Sequence, residues 1–205
     1  MKRAIKVVIF DLGGVVVKWS DDIAFRKAAK IAGVPFKKLK KAANNEITHI
    51  HKGMITETEF WRRVLRNSGA KKNLLKKVDK TWHKEYIKKS RLNSDIIKIA
   101  KRLHRKYRLG VISNLSKFHD IENRKRKYYK KLQHEILSYK VKLIKPDPRI
   151  YRLAARKVRC KPQECLFIDD KLVNVNGARK VGMKAIRFTS ISKLKKDLKM
   201  YGVKV

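Results

Sequence analysis

Short apolar runs rich in β-branched residues recur along this chain, and longer segments with helical spacing separate them. Each run predicts a buried strand, and the runs are residues 5–10, 109–112, 166–168 and 185–188. Strands that alternate with helices form a parallel sheet with helices on both faces. The predicted fold is therefore α/β, with a Rossmann-like parallel sheet at its core.

One long stretch interrupts this alternation. From residue 21 to about residue 89 the apolar spacing is helical, and Gly and Pro residues divide it into several short helices. We therefore expect residues 18–90 to form a helical cap that is inserted after the first strand. Residues 1–17 and 91–205 then form the α/β core.

Three of the predicted strands end in polar, reactive residues. Asp11 follows the first run, Ser113 and Asn114 follow the second, and the pair Asp169-Asp170 follows the third. Ligands bind beyond the carboxyl ends of the strands in open α/β sheets, so we expect these residues to form one site. Adjacent carboxylates repel each other unless a cation or a proton lies between them. The acidic pair therefore indicates a cation at this edge of the sheet.

These residue types suit phosphate chemistry with Mg²⁺. Asp11 and one aspartate of the pair could hold Mg²⁺ through oxygen ligands, and an oxygen of Asp11 could attack phosphorus. Ser113 and the backbone N–H of Asn114 could hold phosphate oxygens, while a lysine neutralises the charge of the transferring group. Lys145 is the favoured lysine, because the segment Pro-Asp-Pro rigidifies the chain directly after it.

The same residues resemble the four motifs of the haloacid dehalogenase (HAD) superfamily of hydrolases, in the family's order. The motifs fall on residues 10–15, 112–114, 145–148 and 167–170. The stretch from 145 to 182 is similar to the phosphatase-like members, and some phosphatases of the family share the Asp-Leu-Gly form of the first motif. The resemblance implies a HAD-like core with a helical cap of the C1 type. It also implies a phosphatase that acts on small phosphorylated metabolites through an aspartyl-phosphate.

The resemblance also implies a role for each motif residue. Asp11 matches the nucleophile that becomes the aspartyl-phosphate. Ser113 and Asn114 match the phosphate-binding second motif. Lys145 matches the lysine that steadies both the nucleophile and the phosphate, which makes it catalytic and phosphate-binding.

The implied cofactor is Mg²⁺. Its implied ligands are Asp11, Asp170 and the backbone carbonyl oxygen of Gly13. Asp169 matches the partner of the metal-binding acid, and Asn174 matches a polar residue near the metal. These two residues are expected to support the ligands without binding the metal themselves.

Gly13 departs from the pattern of most phosphatases of the family. They carry a second aspartate at this position, two residues after the nucleophile, which acts as general acid and then as general base. A general acid contributes about 10²–10⁴-fold to the rate. Leaving groups that need little protonation, such as acyl or anomeric phosphates, would suffer least from its loss. His49 and His51 in the cap are candidates to replace it, because histidine titrates in the right range.

Two alternatives to a phosphatase remain. A HAD-fold protein with weakened catalysis could bind nucleic acid through a basic surface, which Gly13 favours and the intact Asp11 and Lys145 disfavour. A 2-haloacid dehalogenase also lacks the second aspartate. Those enzymes need no metal, however, so the pair Asp169-Asp170 favours phosphate chemistry.

The basic surface follows from composition. The net charge is +39, yet 59 of the 205 residues are Leu, Ile, Val or Phe, more than disordered chains usually contain. Residues 124–131 combine six basic residues with Tyr128 and Tyr129, and we expect a helix over residues 124–137. Basic charge with interleaved aromatic rings binds nucleic acid through phosphates and stacked bases. We therefore expect nonspecific nucleic-acid binding at low salt.

Two further features bear on the setting of the protein. Cys160 and Cys165 are too few for a disulfide framework or a zinc site, which favours the reducing cytoplasm. No apolar run approaches the about 18 residues of a membrane-spanning helix, so no membrane association is expected.

Asp21 and Asp22 are expected to start the first cap helix as N-cap residues.

Overall fold

The computed structural model describes residues 4–130 and 132–204. Its centre is a parallel sheet with strands β1 (Val7–Phe10), β4 (Arg108–Ser113), β5 (His134–Leu137), β6 (Cys165–Asp169) and β7 (Lys184–Arg187). Their spatial order is β5-β4-β1-β6-β7. The first strand therefore lies in the middle, with β4 and β6 as its direct neighbours.

Helices cover both faces of this sheet. α5 (Ser94–Leu103) and α10 (Ile191–Met200) contribute to the core on one face. α8 (Pro148–Lys157) and α9 (Leu172–Lys180) contribute to the core on the other face. The shorter helices α6 (Lys117–Lys125) and α7 (Ser138–Val141) follow β4 and β5 in the chain.

The central strand explains why both faces are apolar. Val8 and Phe10 point into one core, Val7 and Ile9 into the other, and all four are fully buried. Successive side chains of a strand alternate between the faces of a sheet. A continuous apolar run is therefore what a strand covered on both sides requires, and the predicted α/β fold with its parallel sheet is confirmed.

Residues 21–89 form the helices that the spacing predicts. They are α1 (Asp21–Ala32), α2 (Phe36–His51), α3 (Glu57–Asn67) and α4 (Leu75–Lys89), with a 3₁₀ turn at Lys72–Leu74. A second 3₁₀ turn lies at Pro162–Glu164, before β6. The four helices enclose a separate apolar core whose largest rings are Phe25, Phe60, Trp61 and Trp82.

A short antiparallel ribbon joins the two ends of this helical segment. β2 (Val17–Lys18) pairs with β3 (Arg91–Leu92). The apolar spacing did not predict these strands, because two residues are too few to show a pattern. The ribbon lies where the predicted boundaries between core and cap fall, after residue 17 and before residue 91. The division into two domains itself stays a prediction.

The helix predicted over residues 124–137 is wrong. α6 ends at Lys125, and residues 126–130 form turns in which Lys127 has a left-handed φ of 58°. Residues 134–137 instead form β5, parallel to β4, with Ile136 and Leu137 buried. Pairing with the sheet buries these side chains and outweighs the helical preference of the basic segment. Lys131, the last residue of that segment, lies outside the described residues.

The N-cap of α1 also differs from the prediction. Ser20 caps this helix through a hydrogen bond from the backbone N–H of Asp22, whereas Asp21 and Asp22 lie in the first turn. There the two carboxylates favour the positive end of the helix dipole. In the described ranges, none of the helices is long and apolar enough to cross a membrane.

Candidate active site

The polar ends of three adjacent strands meet at one edge of the sheet. Asp11 directly follows β1, Ser113 ends β4, and Asp169 ends β6. All three are buried. Because β1 lies between β4 and β6, the expectation that these side chains converge agrees with the observed strand order.

Lys145 lies at the centre of this group. Its Nζ is 2.7 Å from Oδ1 of Asp11, 2.7 Å from Oδ2 of Asp169 and 3.0 Å from the carbonyl oxygen of Ile112. An ammonium group has three donors, and each of them has an acceptor here. The lysine is therefore fixed in position between two carboxylates.

Asn114 holds the backbone of the same lysine. Its Nδ2 donates to the carbonyl oxygen of Lys145 at 2.9 Å, and its Oδ1 accepts the backbone N–H of Lys145 at 2.8 Å. The side chain of Asn114 thus ties the second motif to the third. The peptide bond between Lys145 and Pro146 is cis.

The two acids of the fourth motif differ in their surroundings. Asp169 is fully buried and accepts hydrogen bonds from Lys145, from Nδ2 of Asn174 and from the backbone N–H of Lys171. Oδ1 of Asp170 is also buried, yet it has no hydrogen-bond partner among residues 4–130 and 132–204. A buried carboxylate oxygen without a donor is costly. Of the two acids, Asp170 is therefore the one whose carboxylate is available to bind a cation.

Burial and the charged groups of the site shift the pKa values of its acids and its lysine. Burial raises the pKa of Asp11 to about 7, although the ammonium group of Lys145 opposes this rise. Burial also works against the charge of Lys145, but the carboxylates of Asp11 and Asp169 outweigh it and raise its pKa. Burial and the neighbouring Asp169 raise the pKa of Asp170. The site therefore holds more negative charge than its one buried cation neutralises.

This arrangement fits a divalent cation. Carboxylate oxygens of Asp11, Asp169 and Asp170 lie within 4.8 Å of one another. Gly14, with a φ of 87°, brings the backbone close to the Asp170 carboxylate, where an added Cβ would lie 2.6 Å from Oδ2. Any side chain at Gly14 would occupy the space beside this carboxylate. Hard oxygen ligands around such a space are the donor set that Mg²⁺ prefers.

A cavity of about 670 Å³ opens from these strand ends toward helices α1 and α2. Its volume is within the range of small-molecule sites. Asp11, Gly13, Ser113, Asn114, Lys145, Asp170 and Asn174, all predicted site residues, contribute to its wall. Residues of the helical segment contribute the opposite side, and among them are Asp21, Lys40, Thr48 and His51.

The structure separates the two candidate histidines. His51 lines the cavity, and burial lowers its pKa to about 4. His49 lies outside the cavity wall, has 41% of its side chain exposed and faces Glu46 at 3.3 Å. The sequence placed both residues near the site, but they lie two apart on a helix and so point in different directions.

Two buried residues at or near the cavity have no signal in the sequence. His119 is buried in the wall, stacks on Tyr86 with 4.1 Å between ring centroids, and has a pKa that burial lowers to about 3. Ser138 is fully buried; it accepts the backbone N–H of Leu115 at 3.1 Å and donates to the carbonyl oxygen of His51 at 2.6 Å. Ser138 thus links the second motif to the helical segment.

The basic segment that begins at Arg124 does not expose its two aromatic rings to solvent. Tyr128 and Tyr129 are 8% and 7% exposed and belong to the core of the sheet. Arg124 forms ion pairs with Asp120 and Glu135. Base stacking on these rings, as the sequence pattern suggested, is therefore not available in this conformation.

Comparison with solved structures supports the fold. A HAD family enzyme from Bacteroides thetaiotaomicron has 23% sequence identity and a TM-score of 0.75, over 91% of this chain and 95% of that one. A 2-haloacid dehalogenase from Pseudomonas syringae pv. Tomato has 17% identity and a TM-score of 0.69, over 96% and 99% of the two chains. At these identities the likeness concerns the fold alone.

Sequence comparison adds a shorter match. Flavin mononucleotide hydrolase 1 of Arabidopsis thaliana is 38% identical over 61 residues, which span 30% of this chain and only 25% of that protein. The sequence profile of the haloacid dehalogenase-like hydrolases, in contrast, matches residues 5–182. This range contains all four motifs and every strand-end residue described above. The chain therefore belongs to the family of haloacid dehalogenase-like hydrolases.

Proposed function

We propose that this protein is a Mg²⁺-dependent phosphatase of small phosphorylated metabolites that acts through an aspartyl-phosphate. The observation that carries the proposal is the unequal acid pair. Asp169 is committed to Lys145 and Asn174, whereas Asp170 keeps a buried oxygen without a donor beside Asp11. A cation bound at such a site would serve phosphate chemistry, because it offsets the negative charge of the phosphate.

Asp11, Asp170 and the carbonyl oxygen of Gly13 would hold the metal ion. When bound, Mg²⁺ offsets the negative charge of the carboxylates and of the phosphate that enters beside them. Asp169 and Asn174 would keep these ligands in position without binding the metal themselves. The raised pKa values of Asp11 and Asp170 reflect burial and neighbouring carboxylates, and a cation would lower both.

The other motif residues would receive the phosphate. Ser113 and Asn114 line the cavity that Asp11 also lines, and the Ser113 hydroxyl and the backbone N–H of Asn114 would donate to phosphate oxygens. Lys145 keeps the Asp11 carboxylate in place at 2.7 Å and neutralises charge during transfer. An oxygen of Asp11 attacks phosphorus, the bond from phosphorus to the leaving oxygen breaks, and water then cleaves the aspartyl-phosphate to give inorganic phosphate.

Helices α1–α4 would act as the cap that closes over the substrate, and we infer a cap of the C1 type from its place after the first strand. The cavity extends between the strand ends and these helices. Cys160 and Cys165 are both free thiols, which supports the proposal that the enzyme works in the reducing cytoplasm.

Relatives are compatible with this proposal. The Bacteroides thetaiotaomicron enzyme was also solved in complex with magnesium and inorganic phosphate, with 22% identity and a TM-score of 0.68 to this chain. The partly matching Arabidopsis thaliana protein is named a flavin mononucleotide hydrolase. A dehalogenase is the second candidate, because a 2-haloacid dehalogenase also shares the fold, with a TM-score of 0.69.

The test uses p-nitrophenyl phosphate as substrate, with Mg²⁺ or with EDTA. We expect turnover with Mg²⁺, its loss in EDTA, and its loss in Asp11→Asn. Asp95→Asn is the matched control, because this aspartate is 53% exposed on α5 and should retain activity. Release of halide from a 2-haloacid in EDTA, without phosphate hydrolysis, would favour the dehalogenase instead.

A further inference from the structure

Gly13 leaves an empty place in the wall of the active site. It lies two residues after Asp11 and lines the cavity. A Cβ added at this glycine would meet no atom within 4 Å, and its φ is not in the left-handed region. The site therefore has room for a side chain at this position but carries no proton donor there.

Two carboxylates and two ammonium groups of the cavity wall are committed to other partners. Asp21 accepts the indole N–H of Trp19 at 2.8 Å, and Asp22 forms an ion pair with Lys40 at 2.6 Å. The three donors of Lys145 are used as described above. Both aspartates thus act as hydrogen-bond acceptors in this structure.

The aromatic and imidazole groups of the cavity do not replace the missing acid. Burial lowers the pKa of His51 to about 4 and that of His119 to about 3, so both rings are neutral at pH 7. Burial raises the pKa of Tyr86, whose hydroxyl donates to Oδ1 of Asn123. None of these three groups is matched to proton transfer near neutral pH, as a general acid has to be.

We propose that this enzyme takes phosphates whose leaving oxygen departs as an anion without receiving a proton. Acyl, enol, anomeric and acidic aryl phosphates belong to this class, whereas phosphates of simple alcohols do not. The inference rests on the proposed function, since it concerns the leaving group of the same reaction. It stands on the open space at Gly13 and on the engaged groups named above, and the ammonium group of Lys171 in the same wall is the alternative donor that the experiment tests.

The reaction balances without an enzyme acid. A bond forms between an Asp11 oxygen and phosphorus, while the bond from phosphorus to the leaving oxygen breaks and its electron pair stays on that oxygen. Water then attacks phosphorus and releases a proton to solvent, and the Asp11 carboxylate and inorganic phosphate are formed. The second step lacks a general base for the same reason, so the aspartyl-phosphate should accumulate during turnover.

The experiment measures kcat/KM for phosphate esters of decreasing leaving-group acidity, from a nitrophenol through phenol to an alkyl alcohol. kcat/KM reports steps up to the first phosphoryl transfer, whichever later step limits kcat. We expect the native enzyme to lose about 10²–10⁴-fold between the nitrophenyl and the alkyl ester, the range that a positioned general acid supplies.

Two variants of Gly13 sharpen the test. Gly13→Asp supplies the acid in the open space, and we expect the ratio of alkyl to nitrophenyl kcat/KM to rise by at least about tenfold. Gly13→Asn is the matched control, because its amide has the same shape but no acidic proton to transfer, and the ratio should stay at the native value. Thermal unfolding of both variants shows whether they fold.

The outcomes separate the two proposals. A native series that is flat across leaving groups would overturn the inference, because some group, Lys171 of the cavity wall included, would then donate the proton. An equal rise in the Asn and Asp variants would overturn it as well. If Asp11→Asn hydrolyses the nitrophenyl ester as fast as the native enzyme, the proposed function fails, and the inference fails with it.

Discussion

The Nζ atom of Lys145 lies 2.7 Å from Oδ1 of Asp11, and both side chains are more than nine-tenths buried. The same ammonium group also holds Asp169. One cation thus neutralises part of a site that contains three carboxylates. The stability and the chemistry of the site therefore depend on the same atoms.

Removal of this cation should destabilise the protein as well as stop turnover. We expect Lys145→Met to lower the free energy of unfolding by about 3–5 kcal/mol, because two buried carboxylates lose their partner. Urea unfolding in EDTA measures this loss. Lys98→Met, at a lysine with a 75% exposed side chain, is the control and should change stability by less than about 0.5 kcal/mol. Equal midpoints for the two variants would contradict the prediction.

Mg²⁺ should raise the melting temperature of the native protein but not that of the variant Asp170→Asn. Asp170 adds a further negative charge beside Asp169 and Asp11, which is costly without a cation, so removal of this charge should make the variant melt at a higher temperature than the native protein in EDTA. At about 100 times its dissociation constant, a bound ion adds about 2.7 kcal/mol. Thermal unfolding with and without Mg²⁺ measures both effects independently of activity. An equal melting temperature of the native protein with and without Mg²⁺ would contradict the proposed metal site.

The buried His119 should make the protein sensitive to acid. Its pKa falls from 6.5 in the unfolded chain to about 3 in the fold, so the unfolded state takes up a proton first. Stability from this group is present above pH 6.5 and is lost as the pH falls from 6.5 toward 3. Between pH 7.5 and pH 5.0 we expect a loss of about 2 kcal/mol.

His119→Phe tests this origin of the acid sensitivity. The variant keeps a ring against Tyr86 and removes the titrating group, so its urea midpoint should fall less between pH 7.5 and pH 5.0 than that of the native protein. His51 contributes with the same sign, whereas the raised pKa of Asp11 acts in the opposite direction between about pH 4 and pH 7. The difference between native protein and variant isolates His119. Parallel pH profiles would show that it titrates normally.

Nucleic-acid binding should depend on charge alone. Tyr128 and Tyr129 are buried, so an abasic deoxyribose-phosphate chain should bind within about twofold of an oligonucleotide of equal length, since stacking on exposed rings would add about 1–3 kcal/mol per base. Affinity should fall about 10³–10⁵-fold between 50 and 200 mM salt if six to ten phosphates are contacted. Filter binding measures both. A strong preference for the oligonucleotide at 200 mM salt would indicate a recognition surface elsewhere.

The sequence predicted the strand ends well, because the signal is local. A short apolar run that stops at Asp11 or at Asp169 fixes both the strand and the position of the acid. Tertiary neighbours decide the rest. Nothing in the chain shows that His51 faces the cavity whereas His49 does not, or that His119 joins the wall from α6. Likewise, β5 is only four residues long, and its pairing with β4 outweighs a basic segment with helical spacing.

The ribbon of β2 and β3 brings the two ends of the helical segment together. Residues 17–18 and 91–92 pair with each other, so the chain leaves the sheet and returns to it at a single place. The helices between these points also have an apolar core of their own. An insertion or deletion between residues 18 and 91 can therefore change the length of the helical segment while the chain still joins the sheet at this ribbon.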